Sequence, residues 1–236
     1  MTAFTSYAVS DGNITIENGI YSVKTPKGNV AIKPISEDIY RVTVFPPGVT
    51  LQFPESKVTT LNPSKVGVCT NMTGRAFLVC SQTSTVRIDL STGKVTFYDA
   101  KGKPLLEELE GVDNSGIDKK VSYVGSKTEK FYGVGESGQT INLNHNDTII
   151  MSNMKYYDYA EGDINTRVGI SVPYFVSDYG YAVLFDDNSQ GKLVLGDAIT
   201  YTSEISSPLS YYFINGRNKT LAQTIELVSN LVDRRP

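Results

Sequence analysis

Three tyrosines and three acidic residues crowd into eight consecutive positions: Tyr156, Tyr157, Asp158, Tyr159, Glu161 and Asp163. Paired carboxylates can run glycoside hydrolysis, one as acid and the other as nucleophile or base. Carboxylate oxygens can also bind Ca²⁺, but Ala160 stands where an EF-hand loop needs a ligand. The plainest reading of the cluster is a solvated loop. The functional reading it allows is a loop that touches sugar, with tyrosine faces against the ring and carboxylates against hydroxyls.

Other chemistry is sparse. A single histidine, His145, makes a His-rich metal site impossible and a histidine-dependent acid/base pair a poor fit. Two cysteines cannot form a disulfide framework. Val66 to Cys69 and Ala76 to Cys80 flank a turn-prone stretch, and symmetric pairing about Gly74-Arg75 sets Cys69 opposite Cys80. Directly opposite positions have Cβ atoms about 4.5–5.5 Å apart, slightly wide for a disulfide, so the two are expected as reduced, small, buried groups. Gly133-Val134-Gly135-Glu136-Ser137-Gly138 matches the glycine spacing of a dinucleotide fingerprint. The stretch that follows is rich in Asn and lacks the helix whose N-terminus would receive a pyrophosphate, so that reading is set aside. Four Asn-x-Ser/Thr sequons, at Asn13, Asn71, Asn146 and Asn218, support no inference. No cofactor and no metal are expected.

The elements that must position these residues are strands. Ile14 and Ile16 alternate with polar residues, Asn18-Gly19 signals a hairpin, and Tyr21 and Val23 continue beyond it. Tyr40, Val42 and Val44 alternate until Pro46-Pro47 stops the run. Val86 to Leu90, Val95 to Phe97 and Leu105-Leu106 are joined by the turns Ser91-Thr92-Gly93 and Ala100-Lys101-Gly102. Ser171 to Val176, Tyr181 to Phe185, Lys192 to Leu195 and Tyr211 to Ile214 are further strands. Val112 to Ser126 reads as a polar connector between two strand groups. Helical spacing appears only at the end, in Leu221, Ile225, Val228 and Val232. It predicts a helix near Asn218 to Leu231 with Asn218 as its N-cap. Many short strands with regular turns and one helix point to an all-β antiparallel sandwich.

Composition agrees. The 236 residues are 40% hydrophobic and 20% charged, with a formal net charge of -3. That leaves no basic surplus for a phosphate backbone, so nucleic acid is not an expected partner. No apolar run approaches the roughly 18 residues of a membrane span. Met1 to Asp11 show neither the charged nor the apolar segment of a signal peptide. The 15 tyrosines against no tryptophan suit strands.

Several stretches, in this order, resemble the N-terminal domain of glycoside hydrolase family 31. Phe131-Tyr132-Gly133-Val134-Gly135-Glu136 resembles the family's Tyr-Gly-x-Gly-Glu segment. Met151-Ser152-Asn153-Met154-Lys155-Tyr156-Tyr157 resembles its Trp-Asn-x-Asp loop, and Ile170 to Phe175 its Ile-Pro-Phe strand. Gly180 to Asp187 and Leu209 to Gly216 resemble its Gly-Tyr-Gly-x-x-x-Asp and Leu-x-Tyr-Tyr-x-Ile-x-Gly strands. The resemblance implies a galactose mutarotase-like supersandwich over residues 1–236, with 218–236 as a linking helix toward a catalytic (β/α)₈ barrel C-terminal to Pro236. Such a barrel typically needs about 250 residues, none of them here. It would hold both catalytic aspartates, so the resemblance implies that this chain alone is not catalytic.

The resemblance also implies a site. In the family an aspartate of the Trp-Asn-x-Asp loop hydrogen-bonds substrate. Lys155 stands at that position here and Ser152 at the Trp. An ammonium cannot accept a hydrogen bond from a sugar hydroxyl. Either Asp158 takes over the role or the parent enzyme takes an anionic or unusual sugar. The expected substrate-binding residues are therefore Lys155, Tyr156, Tyr157, Asp158, Tyr159 and Glu161. The implied role is a non-catalytic domain of a retaining α-glycosidase of α-glucosidase or α-xylosidase type, meeting carbohydrate through the parent enzyme. The alternatives are a stand-alone carbohydrate-binding module, a true mutarotase, and an adaptor without sugar contact.

Overall fold

A computed structural model describes residues 9–49, 52–56, 58–59, 66–135, 143, 147–151, 171–205 and 208–232. The first meander runs through β1 (Val9–Asp11), β2 (Ile14–Glu17), β3 (Ile20–Thr25), β4 (Gly28–Ser36) and β5 (Ile39–Phe45). Its β2–β3 turn is Asn18-Gly19, both at positive φ (51° and 73°), the geometry that matches the twist of a two-residue hairpin. A second meander holds β6 (Cys69–Thr73), β7 (Ala76–Cys80), β8 (Ser84–Asp89), β9 (Val95–Asp99) and β10 (Pro104–Glu107). Then come β11 (Lys119–Val124), β12 (Phe131–Gly135), β13 (Asp147–Met151) and β14 (Ser171–Ser177). β15 (Tyr181–Phe185), β16 (Gly191–Leu195), β17 (Ala198–Ser203) and β18 (Leu209–Asn215) follow, and α1 (Leu221–Leu231) ends the described chain.

The described strands form three antiparallel sheets. The largest has nine, in the order β1-β2-β3-β4-β5-β18-β15-β14-β12. Smaller sheets run β10-β9-β8-β7-β6 and β11-β17-β16-β13. The inner face of the nine-stranded sheet packs on both. Phe213 of β18 stacks on Phe97 of β9 with ring centroids 3.9 Å apart, and Phe185 of β15 stacks on Tyr201 of β17 at 3.7 Å. One continuous apolar cluster fills the space between. The arrangement is an antiparallel β-sandwich, as expected.

The polar stretch expected as a connector contains β11. Val121 and Tyr123 are fully buried while Lys120 and Ser122 face outward, a period-two pattern embedded in polar flanks. The helix also starts later than expected. Asn218 has φ 64° and sits in the preceding turn, and Thr220 is the N-cap. Thr220 Oγ1 accepts from the Gln223 N–H at 3.2 Å, and Gln223 Oε1 accepts from the Thr220 N–H at 2.9 Å. This is a reciprocal capping box, readable as Thr-x-x-Gln in the sequence. α1 lies on the outer face of the large sheet, where Thr224, Val228 and Leu231 are buried. No helix among the described residues is long and apolar enough to cross a membrane.

Candidate functional site at one end of the large sheet

Register decides where the chemistry-bearing stretches begin and end. β12 and β14 pair antiparallel, Phe131 opposite Ser177 and Gly133 opposite Phe175. After a bulge, Gly135 comes opposite Ser171. The last residue of β12 and the first of β14 therefore share one end of the sheet. On the other side of β14, Tyr174 pairs with Leu184, so β15 runs out toward that same end with Asp186 and Asp187 beyond it. In the four-stranded sheet Met151, the last residue of β13, lies opposite Gly191, which lies opposite Ser203. Asp187 accepts hydrogen bonds from the Ser203 hydroxyl, from Tyr201 Oη at 2.8 Å and from the Ser189 N–H at 2.7 Å, tying the two sheets together there. The stretch after Gly135 and the stretch between Met151 and Ser171 thus depart from one corner of the sandwich. Lys155, Tyr156, Tyr157, Asp158, Tyr159 and Glu161 all belong to the second of these and lie outside the described residues.

The corner is strained. Gly133, Val134 and Gly135 have φ of 122°, 63° and 88°. A Cβ on Gly133 would stand 3.0 Å from the Tyr174 ring and from its carbonyl oxygen, so only glycine fits. Val134 is β-branched and left-handed, a conformation costing about 1–3 kcal/mol, and its side chain is fully buried in the core. Burial of the side chain offsets the backbone strain. The glycine pattern therefore encodes a β-bulge in an antiparallel pair, consistent with rejecting the dinucleotide reading.

Buried acids brace the same scaffold. Asp186 forms an ion pair with Arg41 of β5 and accepts from Ser56 Oγ at 3.0 Å and from the Val58 N–H at 3.2 Å. Arg41 also donates to the Pro54 carbonyl at 2.6 Å and lies over the Phe53 ring at 4.8 Å. These bonds strap residues 52–56 and 58–59 across the outer face of the sheet. Glu129 accepts from Ser177 Oγ and Tyr181 Oη, each at 2.5 Å, and burial pushes its carboxyl up. Glu108 accepts from Tyr211 Oη at 2.6 Å and from the Val95 N–H at 2.9 Å. Complete burial pushes its carboxyl up to about 7 against the opposing pull of those two donors. Glu108, Glu129, Asp186 and Asp187 are all at least 97% buried and engaged by partners, so each braces the fold.

Outside the Tyr156-Tyr157-Asp158-Tyr159 cluster, composition gives the tyrosines only a strand preference. Three of them, Tyr181, Tyr201 and Tyr211, donate their hydroxyls to buried carboxylates, which a strand preference does not require. The available signal was Tyr at inward positions together with acids just outside strand ends. Among the described residues no group of three or more His, Cys, Asp or Glu side chains could hold a metal ion.

A family model of the glycosyl hydrolase 31 N-terminal galactose mutarotase-like domain matches residues 29–192. The chain belongs to this domain family. The domain's fold recurs in a Flavobacterium johnsoniae GH31 dextranase complexed with isomaltotriose, at TM-score 0.72 and 17% identity over 89% of this chain and 26% of that one. It recurs in a GH31 α-xylosidase from a soil metagenome complexed with xylose, at TM-score 0.71 and 17% identity, over 94% of this chain and 34% of that one. A cycloalternan-forming enzyme from Listeria monocytogenes aligns at TM-score 0.68 and 18% identity, over 90% and 20%. The domain thus spans between a fifth and about a third of these proteins. No curated protein matches it. The stretches that carry the family resemblance include β12, β14, β15 and β18 of the domain's large sheet.

Proposed function

We propose that this domain is the N-terminal sandwich of a retaining α-glycosidase, of α-glucosidase or α-xylosidase type, and that it is not catalytic by itself. In this reading residues 1–236 are one structural unit and 218–236 link it to a (β/α)₈ barrel following Pro236. The stretch from Ser152 to Ile170 borders the barrel's substrate site. The observation that carries the reading is that Met151 and Ser171, the described residues on either side of that stretch, lie with Gly133-Val134-Gly135 at one strained, well-braced corner. A rigid scaffold that launches polar loops from one end is how binding residues are commonly presented. Tyr156, Tyr157 and Tyr159 would face sugar rings, Asp158 and Glu161 would accept from hydroxyls, and Lys155 would donate.

A stand-alone binding module is the second reading. A groove of about 300 Å³ on the outer face of β2 to β5 favours it, being lined by Thr15, Glu17, Ser22 and Gln52 beside Phe53. Yet Lys33 and Arg41 already engage the half-buried Phe53 ring, at 5.8 and 4.8 Å, which competes with a sugar for it. The first reading therefore stands ahead.

The test is kinetic and uses the full-length enzyme. Lys155→Ala, Asp158→Ala and Glu161→Ala are each made singly. A substrate-contacting residue among them lowers kcat/KM about tenfold or more while leaving the domain's unfolding midpoint in place. Unchanged kinetics in all three would defeat the assignment of the loop, and turnover of an aryl α-glucoside by this chain alone would defeat the non-catalytic reading.

A further inference from the structure

The β6–β7 hairpin carries the chain's two cysteines opposite each other. The register is Cys69 to Cys80, Thr70 to Val79, Asn71 to Leu78, Met72 to Phe77 and Thr73 to Ala76, closed by the two-residue turn Gly74-Arg75. Both thiols are free. The expectation that they are small buried groups fails, since Cys69 is exposed and Cys80 is only partly covered. Among the described residues β6 is the outermost strand of its sheet, and every one of its residues is exposed. On β7, by contrast, Phe77 and Val79 belong to the core. β6 thus covers the backbone edge of a core strand while holding few apolar contacts of its own. An uncovered edge of that kind is a template for pairing with another chain.

Paired positions in an antiparallel hairpin alternate between hydrogen-bonded and non-hydrogen-bonded. Counted outward from the turn, Thr73–Ala76 is hydrogen-bonded, and Cys69–Cys80, four pairs along, is hydrogen-bonded again. Cα atoms at such positions are about 5.5 Å apart, inside the range a disulfide spans. At hydrogen-bonded positions the Cβ atoms lie at the wide end of the cross-strand range, about 5.5 Å, and must close by about 1 Å or more, which leaves the bridge strained. Strained or exposed disulfides are the readily reduced ones. Burial pushes the Cys80 thiol up, and the neighbouring Cys69 sulfur adds to the rise.

We propose that Cys69 and Cys80 form a reversible dithiol–disulfide site that latches the edge strand β6 onto β7, oxidised by a low-molecular-weight disulfide. Cys69, the exposed partner, attacks first as its thiolate. One sulfur–sulfur bond of the small disulfide breaks, and one small thiolate leaves and takes up the proton. Cys80 then attacks the Cys69 sulfur and displaces the small thiol joined to it. Two protein thiols are oxidised and one small disulfide is reduced to two thiols. A dithiol reductant reverses the sequence.

The experiment equilibrates the full chain in a series of glutathione and glutathione disulfide mixtures and traps free thiols by alkylation before intact-mass and peptide analysis. The expected result is joint loss of both thiols, an internal Cys69–Cys80 bridge on the monomer, and return of both thiols with dithiothreitol. In Cys80→Ser, glutathione stays on Cys69 because nothing displaces it. Amide exchange in β6 slows on oxidation of the natural chain and is unchanged by the same treatment of Cys80→Ser. Glutathione accumulating on the natural chain without an internal bridge would overturn the proposal. So would persistence of both thiols in glutathione disulfide alone, disulfide-linked dimers in place of the bridge, or β6 exchange indifferent to oxidation. Circular dichroism of Cys69→Ser and Cys80→Ser separates loss of the fold from loss of the bridge.

Discussion

Strands β18 and β6 have similar lengths and opposite fates. β18, Leu209–Asn215, lies between β5 and β15, and all seven residues are buried. Its inner face packs into the sandwich core, and Tyr212 and Ile214 on its outer face belong to the cluster under α1. β6, Cys69–Thr73, closes its sheet and buries nothing. Met72 stands directly opposite Phe77, yet Met72 is 48% exposed and Phe77 is 3% exposed. The edge of the core therefore falls between two hydrogen-bonded strands. Position in the topology, more than strand preference, decides what a β-residue contributes to stability.

The largest effect that tests this contrast is expected at Phe213. Its ring is fully buried and stacked on Phe97, so Phe213→Ala lowers unfolding free energy by about 3–5 kcal/mol in urea denaturation. A loss below about 1 kcal/mol would mean that the two faces of β18 are less well packed than described.

Next comes Glu108, which accepts from Tyr211 of the same strand. The unfolded carboxyl releases its proton near 4.5, whereas the folded one keeps it up to about 7. Between those values the native state binds more protons, so stability falls as pH rises from about 4.5 to about 7 and levels off above. The full change from this group is about 3 kcal/mol. Glu129, whose carboxyl is also pushed up, contributes with the same sign. Comparing Glu108→Gln with the natural chain from pH 4.5 to 8 isolates the Glu108 part, and identical slopes in the two proteins would refute it.

The smallest effect is expected at Met72. Met72→Ala changes unfolding free energy by no more than about 0.5 kcal/mol. A larger loss would place the edge of the core beyond β6.

The same contrast explains what the sequence made legible. The apolar residues of β2, β3, β8 and β9 recur with period two and could be read directly, as could the Asn18-Gly19 turn, although only β8 alternates strictly in burial. β4 was missed because it is covered on both faces and contains Pro34, so it shows no alternation. β6 offers no apolar face at all, and only the mirror symmetry about Gly74-Arg75 exposed its register. For the site, the family stretches could be recognised, but their role could not. Asp186 and Asp187 are spent on Arg41, Tyr201 and Ser203, partners remote in sequence that only the assembled sheets bring near. The stretch from Lys155 to Glu161 remains legible in composition alone, since its residues lie outside those described.

The tyrosines sealed in the interior have an optical consequence. The chain has 15 tyrosines and no tryptophan, so its near-ultraviolet absorption is dominated by phenols. Tyr40, Tyr123, Tyr181, Tyr201, Tyr211 and Tyr212 are fully buried, and burial holds all six phenols neutral into more alkaline solution than usual. In an alkaline titration these six interior phenols ionise late, held back while the sandwich stays closed. Their late rise in phenolate absorbance is a built-in spectroscopic gauge of whether the two layers are still closed.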